Sequence, residues 1–429
     1  MSTSRDSLRH RVTASLAKRY RRERRFRAAG LIAVLTGLVF LVFFFVSIAR
    51  FGLGAFTRTE LLLPVALYEQ DVDPLGDGSR ASIAEGNYSR IIRDSLSSLF
   101  PGTENIADRR ALAALVSLDA PYLLRDYVLD NPEAVGGRIR IALPTSASVD
   151  QFVTSKVDRT PLTSTSTLST RQAAWAIALE EEGLLRQSLN SRFFLGGDSR
   201  EPELAGIRAA LTGSLFMLLV TFFLAIPIGA AAALYLEEFA PKNRWTDLIE
   251  ININNLASVP SIVYGLLGLA VIINVAGLPR STPIVGGIVL SLMTLPVVII
   301  AARASIKAVP PSIRDAALSM GASPTQTVFH HVLPLAMPGI MTGSIIGMAR
   351  ALGETAPLLM IGMVAFVVDP PGSIYEPATA LPVQIYLWSD SPERAFAEKT
   401  AAAILVLLGF LLMMNLLAVL VRRHFERHR

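Results

Sequence analysis

The chain has 429 residues, of which 52% are hydrophobic and 17% are charged, and its mean hydropathy is +0.46. Ordinary soluble proteins are less apolar, so this composition indicates a polytopic membrane protein. The net charge is +5, but the basic residues cluster at the chain ends and in particular loops, so we expect no nucleic-acid partner. Cysteine is absent, which excludes disulfides, thiolate metal sites and cysteine nucleophiles.

The first 50 residues combine a basic tail with an apolar helix. Residues 1–29 are rich in Arg and Lys, and an uncharged stretch follows at Gly30–Ala49. A membrane-crossing helix needs about 20 apolar residues, so we predict a transmembrane helix at 30–50 after a cytoplasmic tail at 1–29. The stretch has the length of a full span and lacks a clear small-residue cleavage site behind it, which argues against a cleaved signal peptide.

Residues 51–203 are too many for a connector, so we predict a small mixed α/β domain there. Its periodicity indicates strands and helices, with strands at Thr59–Leu67 and Arg138–Pro144 and helices at 87–100, 107–118 and 171–189. The polar run Thr160–Thr170 is predicted to be a flexible joint. No metal-ligand spacing or nucleophile pattern occurs in the domain, and two roles stay open: a docking or structural appendage, or a ligand sensor.

Further apolar stretches within 204–425 complete the predicted membrane part: Ala209–Leu236, Leu256–Val275, Ile284–Ala302, Gly339–Val368 and Ala401–Val421. With the first, they predict an all-α polytopic membrane protein that has six transmembrane helices, with the α/β domain between helices 1 and 2. The loops 237–247 and 303–331 carry Lys and Arg residues, and both chain ends are basic. The positive-inside rule therefore places both termini and these loops in the cytoplasm, and residues 51–203 outside.

Residues 310–334, which we call the elbow, carry signals for two short helices. Pro310 and Pro311 end the preceding helix, because proline lacks an N–H and disfavours helix before itself. Ser312 and Asp315 have the spacing of a capping box that starts the first short helix. Gly321 can take a positive φ and end that helix.

A second start signal follows at once in the elbow. Ser323 is suited to be an N-cap, Pro324 to be the first helical residue and Gln326 to close a capping box. Pro334 is predicted to break this second helix. Small side chains at Ala316 and Ala317 would let another backbone approach closely. The alternative interpretation is an ordinary loop between spans.

The elbow resembles the EAA loop of ABC importer permeases. The matching residues are Asp315-Ala316-Ala317, then Gly321, then Val332-Leu333-Pro334. The resemblance implies the type I permease fold, and it implies that the elbow is the coupling helix that docks into a groove on an ATPase subunit. On this basis the coupling residues are Asp315, Ala316, Ala317, Gly321, Ser323 and Pro334. Asp315 replaces the family's Glu, and its shorter side chain would weaken a contact that Glu makes.

Longer runs at 252–269, 294–323 and 338–362 are similar to PstA-type permeases of phosphate importers. This resemblance covers roughly 205–425, and it implies a phosphate importer in the bacterial cytoplasmic membrane. The implied partners are phosphate, a second homologous permease (PstC-like), ATPase subunits (PstB-like), an extracytoplasmic phosphate-binding protein and membrane lipid. The chain departs from the family at 303–305, which reads Arg-Ala-Ser instead of Arg-Glu-Ala, so an acidic contact with a partner subunit is expected to be missing.

The chain itself is expected to be catalytically silent and to need no cofactor. None of its lysines follows a glycine, so it has no Walker A loop and cannot bind ATP in the P-loop manner. Any energy source must therefore be a separate subunit.

Arg350 and Glu354 are the charged residues predicted inside a span. They are four residues apart, so on a helix they share a face and pair, and a lipid-facing position would be costly. One hypothesis is that Arg350 offers its guanidinium to a passing oxyanion, while Glu354 neutralises it when the path is empty. The other is a permanent ion pair that holds two helices in register.

A neutral polar series lies near the start of the third predicted span. Its members are Asn252, Asn255, Ser258, Ser261 and Tyr264. They either line a vestibule of the substrate path or make hydrogen bonds between helices of the bundle.

Competing functions remain at this point. The first is a permease for another tetrahedral oxyanion such as sulfate or molybdate, since physical chemistry alone does not separate these anions. The second is a membrane receptor that senses through residues 51–203. An ion channel or a proton-coupled carrier would leave the elbow without a purpose.

Overall fold

The computed structural model describes residues 2–103, 105–154, 168–364 and 366–427. It divides into two compact units, Met1–Phe51 and Gly52–Arg429. The first unit belongs to one helix, α1 (Ser2–Gly52). The predicted tail and the predicted first span are thus continuous in one helix. The predicted joint Thr160–Thr170 lies mostly outside the described residues.

A three-stranded antiparallel sheet forms the centre of the α/β domain. Its strands are β1 (Thr57–Ala66), β2 (Arg138–Pro144) and β3 (Leu185–Leu189), in the order β2-β1-β3. Leu61 in β1 faces Leu143 in β2 and Leu185 in β3. The β1 and β2 predictions are confirmed, because the alternating Leu and Val side chains of β1 are buried in the domain core.

Short helices surround this sheet: α2 (Glu69–Val72), α3 (Arg80–Ala84), α4 (Tyr88–Leu99), α5 (Ile106–Ala113), α6 (Ala120–Asp130), α7 (Ala147–Thr154), α8 (Thr170–Glu181) and α9 (Ser191–Leu195). The helices predicted at 87–100 and 107–118 are confirmed, although α5 ends at Ala113. The single helix predicted over 171–189 is wrong. Gly183 takes a positive φ of 69° after α8, and the chain then pairs with β1 as β3. The pairing partner is distant in sequence, so local periodicity could not predict that strand.

The second half of the chain is helical: α10 (Arg208–Leu234), α11 (Arg244–Ala257), α12 (Ser261–Leu267), α13 (Pro283–Lys307), α14 (Pro311–Ser319), α15 (Pro324–Thr327), α16 (Leu333–Gly353), α17 (Ala356–Met360), α18 (Leu381–Ser389) and α19 (Ala395–Arg427). Wider π-helical turns extend α10, α12 and α15, at Tyr235–Phe239, Gly268–Ile273 and Val328–Val332. In the part of the chain that the structure describes, five helices could cross a membrane, and a bent pair could provide a sixth span.

Two predicted spans differ from the observed helices. The third is not straight, because α11 meets α12 at an angle of 105°. Pro260 sits at that bend with a ψ of 137°, and proline disfavours helix in the residue before it. The fifth ends at Gly353 instead of Val368, since Glu354 is extended with a ψ of 128° and Pro357 lies in the first turn of a new helix, α17.

Small residues allow the long helices to pack closely. A side chain at Gly343 in α16 would lie 2.2 Å from Ala301 in α13, and one at Gly287 in α13 would lie 2.5 Å from Val220 in α10. Glycines at such positions let backbones approach, as is usual between membrane helices. The α10–α13–α16 group is therefore the scaffold that positions the elbow at one end and Arg350 towards the other.

Candidate functional site

The elbow forms two short helices, but the first begins differently from the prediction. Helix α14 starts at Pro311 with Pro310 as its N-cap, and no side-chain hydrogen bond caps it. The predicted Ser312–Asp315 capping box is therefore wrong. Because the helix begins at Pro311, Ser312 lies inside its first turn rather than before it. Asp315 is exposed, and its backbone carbonyl accepts a hydrogen bond of 2.7 Å from the Ser319 hydroxyl.

The rest of the elbow confirms most of the predicted signals. Gly321 has a φ of 86°, and Ser323 and Gln326 form a complete capping box at the start of α15. Pro334, in contrast, does not break the helix, which runs on from Pro324 to Gly353. The π-helical turn Val328–Val332 precedes Pro334, and such a turn accommodates a residue that lacks an N–H.

The outer face of the elbow is exposed and partly apolar. Asp315, Ala316 and Ser323 are exposed, whereas Ala317 is buried against the rest of the chain. Large apolar side chains are also exposed on this face, namely Leu318, Met320 and Phe329. Sequence reasoning missed them, although apolar residues in an otherwise polar loop were a readable signal. An exposed apolar surface on an ordered turn is typical of a protein contact.

Ion pairs that the sequence analysis missed attach the elbow to neighbouring helices. Arg314 in α14 binds Glu238 at 2.6 Å. Arg303 in α13 binds Glu237 at 2.7 Å and Glu250 in α11 at 2.8 Å. The side chains of Glu237, Glu238, Arg303 and Arg314 are mostly buried. These residues lie far apart in the sequence, so only the packing of α10, α11, α13 and α14 brings them together.

The predicted polar series gathers around the bend between α11 and α12. Asn252, Asn255 and Ser258 are exposed on the α11 side, while Ser261 and Tyr264 lie in α12. The Tyr264 hydroxyl donates a hydrogen bond of 2.7 Å to the carbonyl of Leu256 across the bend. Tyr264 is buried and therefore stabilises the bend. Among the exposed residues, Asn252 donates a side-chain hydrogen bond to the carbonyl of Leu248 and Ser258 donates one to that of Asn255, at 2.7 Å each.

Arg350 and Glu354 lie at the end of α16 farthest from the elbow. The Arg350 Nε and Glu354 Oε1 atoms are 3.5 Å apart, and the Arg350 side chain is 47% exposed. The predicted pairing is confirmed, although Glu354 follows the helix instead of continuing it. The structure thus brings Arg350 and Glu354 together, and it leaves part of the Arg350 guanidinium open on the surface of the chain.

Comparisons with known proteins agree with these features. Residues 225–428 match the family described as binding-protein-dependent transport system inner membrane component. Residues 13–161 match a family described as a domain of unknown function, DUF3333. The phosphate transport system permease protein PstA 1 of Mycobacterium tuberculosis (strain CDC 1551 / Oshkosh) is 32% identical over 235 residues, which cover 55% of this chain and 76% of that one. The chain belongs to the PstA permease family.

Other relatives of this PstA-family chain include the probable ABC transporter permease protein YqgI of Bacillus subtilis (strain 168). It is 34% identical over 192 residues, which are 42% of this chain and 65% of that protein. A solved structure of the MetNI methionine ABC transporter is 17% identical, covers 51% of this chain and 95% of that one, and has a TM-score of 0.43. Membership of the family makes the chain a multi-pass inner membrane permease component, and it implies ATPase and substrate-binding partners.

Proposed function

We propose that this PstA-family chain is one permease half of an ATP-driven phosphate importer. The observation that carries the proposal is the match to PstA of Mycobacterium tuberculosis over three quarters of that protein's length. The half-exposed Arg350 supports it, because guanidinium groups bind tetrahedral oxyanions through paired hydrogen bonds. A PstC-like permease would supply the other half of the path, and an extracytoplasmic binding protein would deliver phosphate.

The path is proposed to pass Arg350 and the polar bend. Arg350 is half exposed on the chain surface, where a second permease subunit would complete a polar cavity around it. Glu354 would occupy the guanidinium while the path is empty and release it to the anion. Such competition keeps binding weak, which conduction requires. Asn252, Asn255, Ser258 and Ser261 would offer neutral donors further along the path, beside the Tyr264 hydroxyl.

The elbow is proposed to be the contact with PstB-like ATPase subunits. Its exposed face carries Asp315 and Ala316 with the apolar Leu318, Met320 and Phe329. Gly321, Ser323 and Pro334 shape that face, and Ala317 packs beneath it. Both termini and the elbow would lie in the cytoplasm, with residues 51–203 on the outside. ATP-driven closure of the ATPase pair would then move the elbow and switch the cavity between the two sides of the membrane.

The decisive experiment is transport by the complete complex in proteoliposomes. The wild-type complex should import phosphate only with ATP. Replacing Arg350→Gln removes a charge-assisted hydrogen bond worth roughly 1.5–3 kcal/mol, so phosphate uptake should fall about tenfold or more. Arg208→Gln is the matched control, because Arg208 is an exposed arginine at the start of a membrane helix and should keep wild-type uptake.

Three results would contradict the proposal. Phosphate uptake without ATP would show that ATPase subunits do not drive the transport. Wild-type uptake by an assembled Arg350→Gln complex would remove Arg350 from the path and favour a permanent structural ion pair. Stronger inhibition of uptake by sulfate or molybdate than by unlabelled phosphate would indicate a permease for another oxyanion.

Deletion of residues 57–203 tests the sensor alternative. If those residues are a sensor, their deletion should abolish signalling and leave phosphate uptake intact.

A further inference from the structure

The inner side of the elbow holds a group of ion pairs, which we call the ionic clasp. It comprises two groups: Arg314 paired with Glu238, and Arg303 paired with both Glu237 and Glu250. Glu237 and Glu238 are consecutive in the π-helical turn Tyr235–Phe239 at the end of α10. Consecutive side chains of a helix point in different directions around its axis. One turn of α10 therefore binds two different elements, α13 through Glu237 and α14 through Glu238.

Arg314 uses its whole guanidinium inside the clasp. Its Nε and Nη2 atoms both donate to the Glu238 carboxylate, at 3.1 and 2.6 Å. Its Nη1 donates to the carbonyl of Val309 at 2.7 Å and its Nη2 to that of Ile306 at 3.1 Å. The last carbonyls of a helix lack partners within it, and here Arg314 caps the end of α13. One planar side chain thus fixes α14 against both α10 and α13.

The two sides of α14 have different functions in this arrangement. Arg314 faces inward and is mostly buried, while the next residues, Asp315 and Ala316, are exposed on the face offered to a partner. Arg303 extends the same network to Glu250 of α11, the helix that carries Asn252 and Asn255. A push on the exposed face of α14 is therefore met by Glu238 on the extension of α10 and by two carbonyls at the end of α13. Glu237, next to Glu238, continues the contacts through Arg303 of α13 to α11.

We propose that Arg314 and Glu238 are positioning residues that make the elbow move as one body with the ends of α10 and α13. The proposal rests on the proposed function, in which the elbow receives force from an ATPase. Without the pair, the elbow would still dock and ATP would still be hydrolysed, but the movement would not reach the substrate path. Coupling between the ATPase contact and the substrate path requires a contiguous structural element whose position both sites influence. We assign that function to the clasp.

The first test measures phosphate imported per ATP hydrolysed by the complete complex. Glu238→Gln and Arg314→Gln should each lower this ratio about tenfold, within the usual range of coupling between sites, while the ATPase rate stays near wild type. Arg314→Lys should give an intermediate ratio, because an ammonium group keeps the positive charge but cannot donate the paired hydrogen bonds of a planar guanidinium. Lys307→Gln is the matched control, since Lys307 lies 3.8 Å from Glu237 but is 68% exposed, and its ratio should not change.

A double replacement separates coupling from simple loss of structure. If the two residues act as a pair, Glu238→Gln with Arg314→Gln should lower the ratio no further than either change alone. Additive losses would overturn the proposal. A parallel fall in ATPase rate and complex yield would also overturn it, because the clasp would then serve only assembly.

A second readout does not depend on the transported anion. Amide hydrogen exchange of Arg314–Ser319 in the purified chain in detergent should become about tenfold faster in Glu238→Gln, because the anchored helix opens more often. The Lys307→Gln chain should exchange like wild type. Unchanged exchange in Glu238→Gln would overturn the proposal. Failure of the wild-type complex to import phosphate would instead count against the proposed function. The amide hydrogen exchange of Arg314–Ser319 would still test whether the clasp anchors α14.

Discussion

Lys399 is a buried cation near the start of α19. Its Nζ donates a hydrogen bond of 3.0 Å to the carbonyl of Ala205 and lies 5.2 Å from the centre of the Phe193 ring. Asp150, Glu203 and Glu398 line the same cavity of about 30 Å³. Burial raises the pKa of Asp150 and of Glu203. A buried charge without a counter-charge is unstable, so Lys399 compensates the carboxylates at the junction of the α/β domain and α19.

Replacing Lys399→Met should therefore destabilise the chain by about 3 kcal/mol, as measured by thermal unfolding in detergent. The loss should be larger near neutral pH than in acid. Carboxyl groups with a raised pKa are protonated in acid and need no cation, whereas they become charged as the pH rises through the raised pKa. The control Lys307→Met replaces an exposed lysine, and its effect should stay below about 0.5 kcal/mol. Equal stability of both variants would contradict this account of Lys399.

Local residue signals were the most reliable part of the sequence analysis. The positive φ of Gly321 and the Ser323–Gln326 capping box follow from interactions within a few residues, and the structure has both. The clasp and the Lys399 cluster could not be predicted, because their contacts join residues that are dozens of positions apart or more. Arg303 illustrates the difference. Its two partners, Glu237 and Glu250, come from other helices, and no pattern in the neighbouring sequence indicates either of them.

At the scale of elements, the close packing of α12 on α17 connects the polar bend to the end of α16. A side chain at Gly265 in α12 would lie 2.7 Å from the Cα and 2.8 Å from the carbonyl oxygen of Pro357 in α17. Backbone atoms cannot move aside as a flexible side chain can. Gly265 therefore fixes how near the bend lies to Glu354, which precedes α17.

The change Gly265→Ala should push α12 away from α17 and cost about 1–3 kcal/mol through overpacking. Thermal unfolding in detergent measures this cost. Gly409→Ala is the matched control in α19, because nothing lies within 4 Å of the added carbon, and alanine favours a helix by up to about 1 kcal/mol. The packing argument fails if the Gly265→Ala chain unfolds at the same temperature as the Gly409→Ala chain.

Proline interrupts a helix at some positions of this chain and not at others. Pro260 and Pro357 mark the interruptions of the third and fifth predicted spans. The helix pair bent at Pro260 could still provide one span, whereas α16 ends at Gly353, before Pro357. Pro334 was predicted to break a helix and does not, since a π-helical turn precedes it. Whether a proline ends a helix depends on whether the surrounding helices hold the backbone in a wider turn, and this is a property of packing.

At the scale of the whole molecule, charge asymmetry is the basis for the proposed topology. The chain lacks cysteine, so single introduced cysteines report their side of the membrane without background. Ser89 in α4 and Ser319 in α14 are both exposed serines on helices, which makes them a matched pair. A membrane-impermeant maleimide applied to intact spheroplasts should label Ser89→Cys and spare Ser319→Cys.

Permeabilised cells provide the control for that labelling. Both variants should react after permeabilisation, and the cysteine-free chain should react in neither condition. Labelling of Ser319→Cys in intact spheroplasts would place the elbow outside, and it would remove the ATPase contact from the proposed function. Protection of Ser89→Cys would place the α/β domain in the cytoplasm.

The sequence by itself determined the membrane class, the approximate spans, the mixed α/β insertion, the elbow and the family. These features depend on hydropathy, charge and motifs that are continuous along the chain. Only the tertiary structure decided the strand β3, the bend between α11 and α12, the end of α16 and the ionic clasp. Each of these depends on residues that lie far apart in the sequence and meet only when the helices and the sheet have packed.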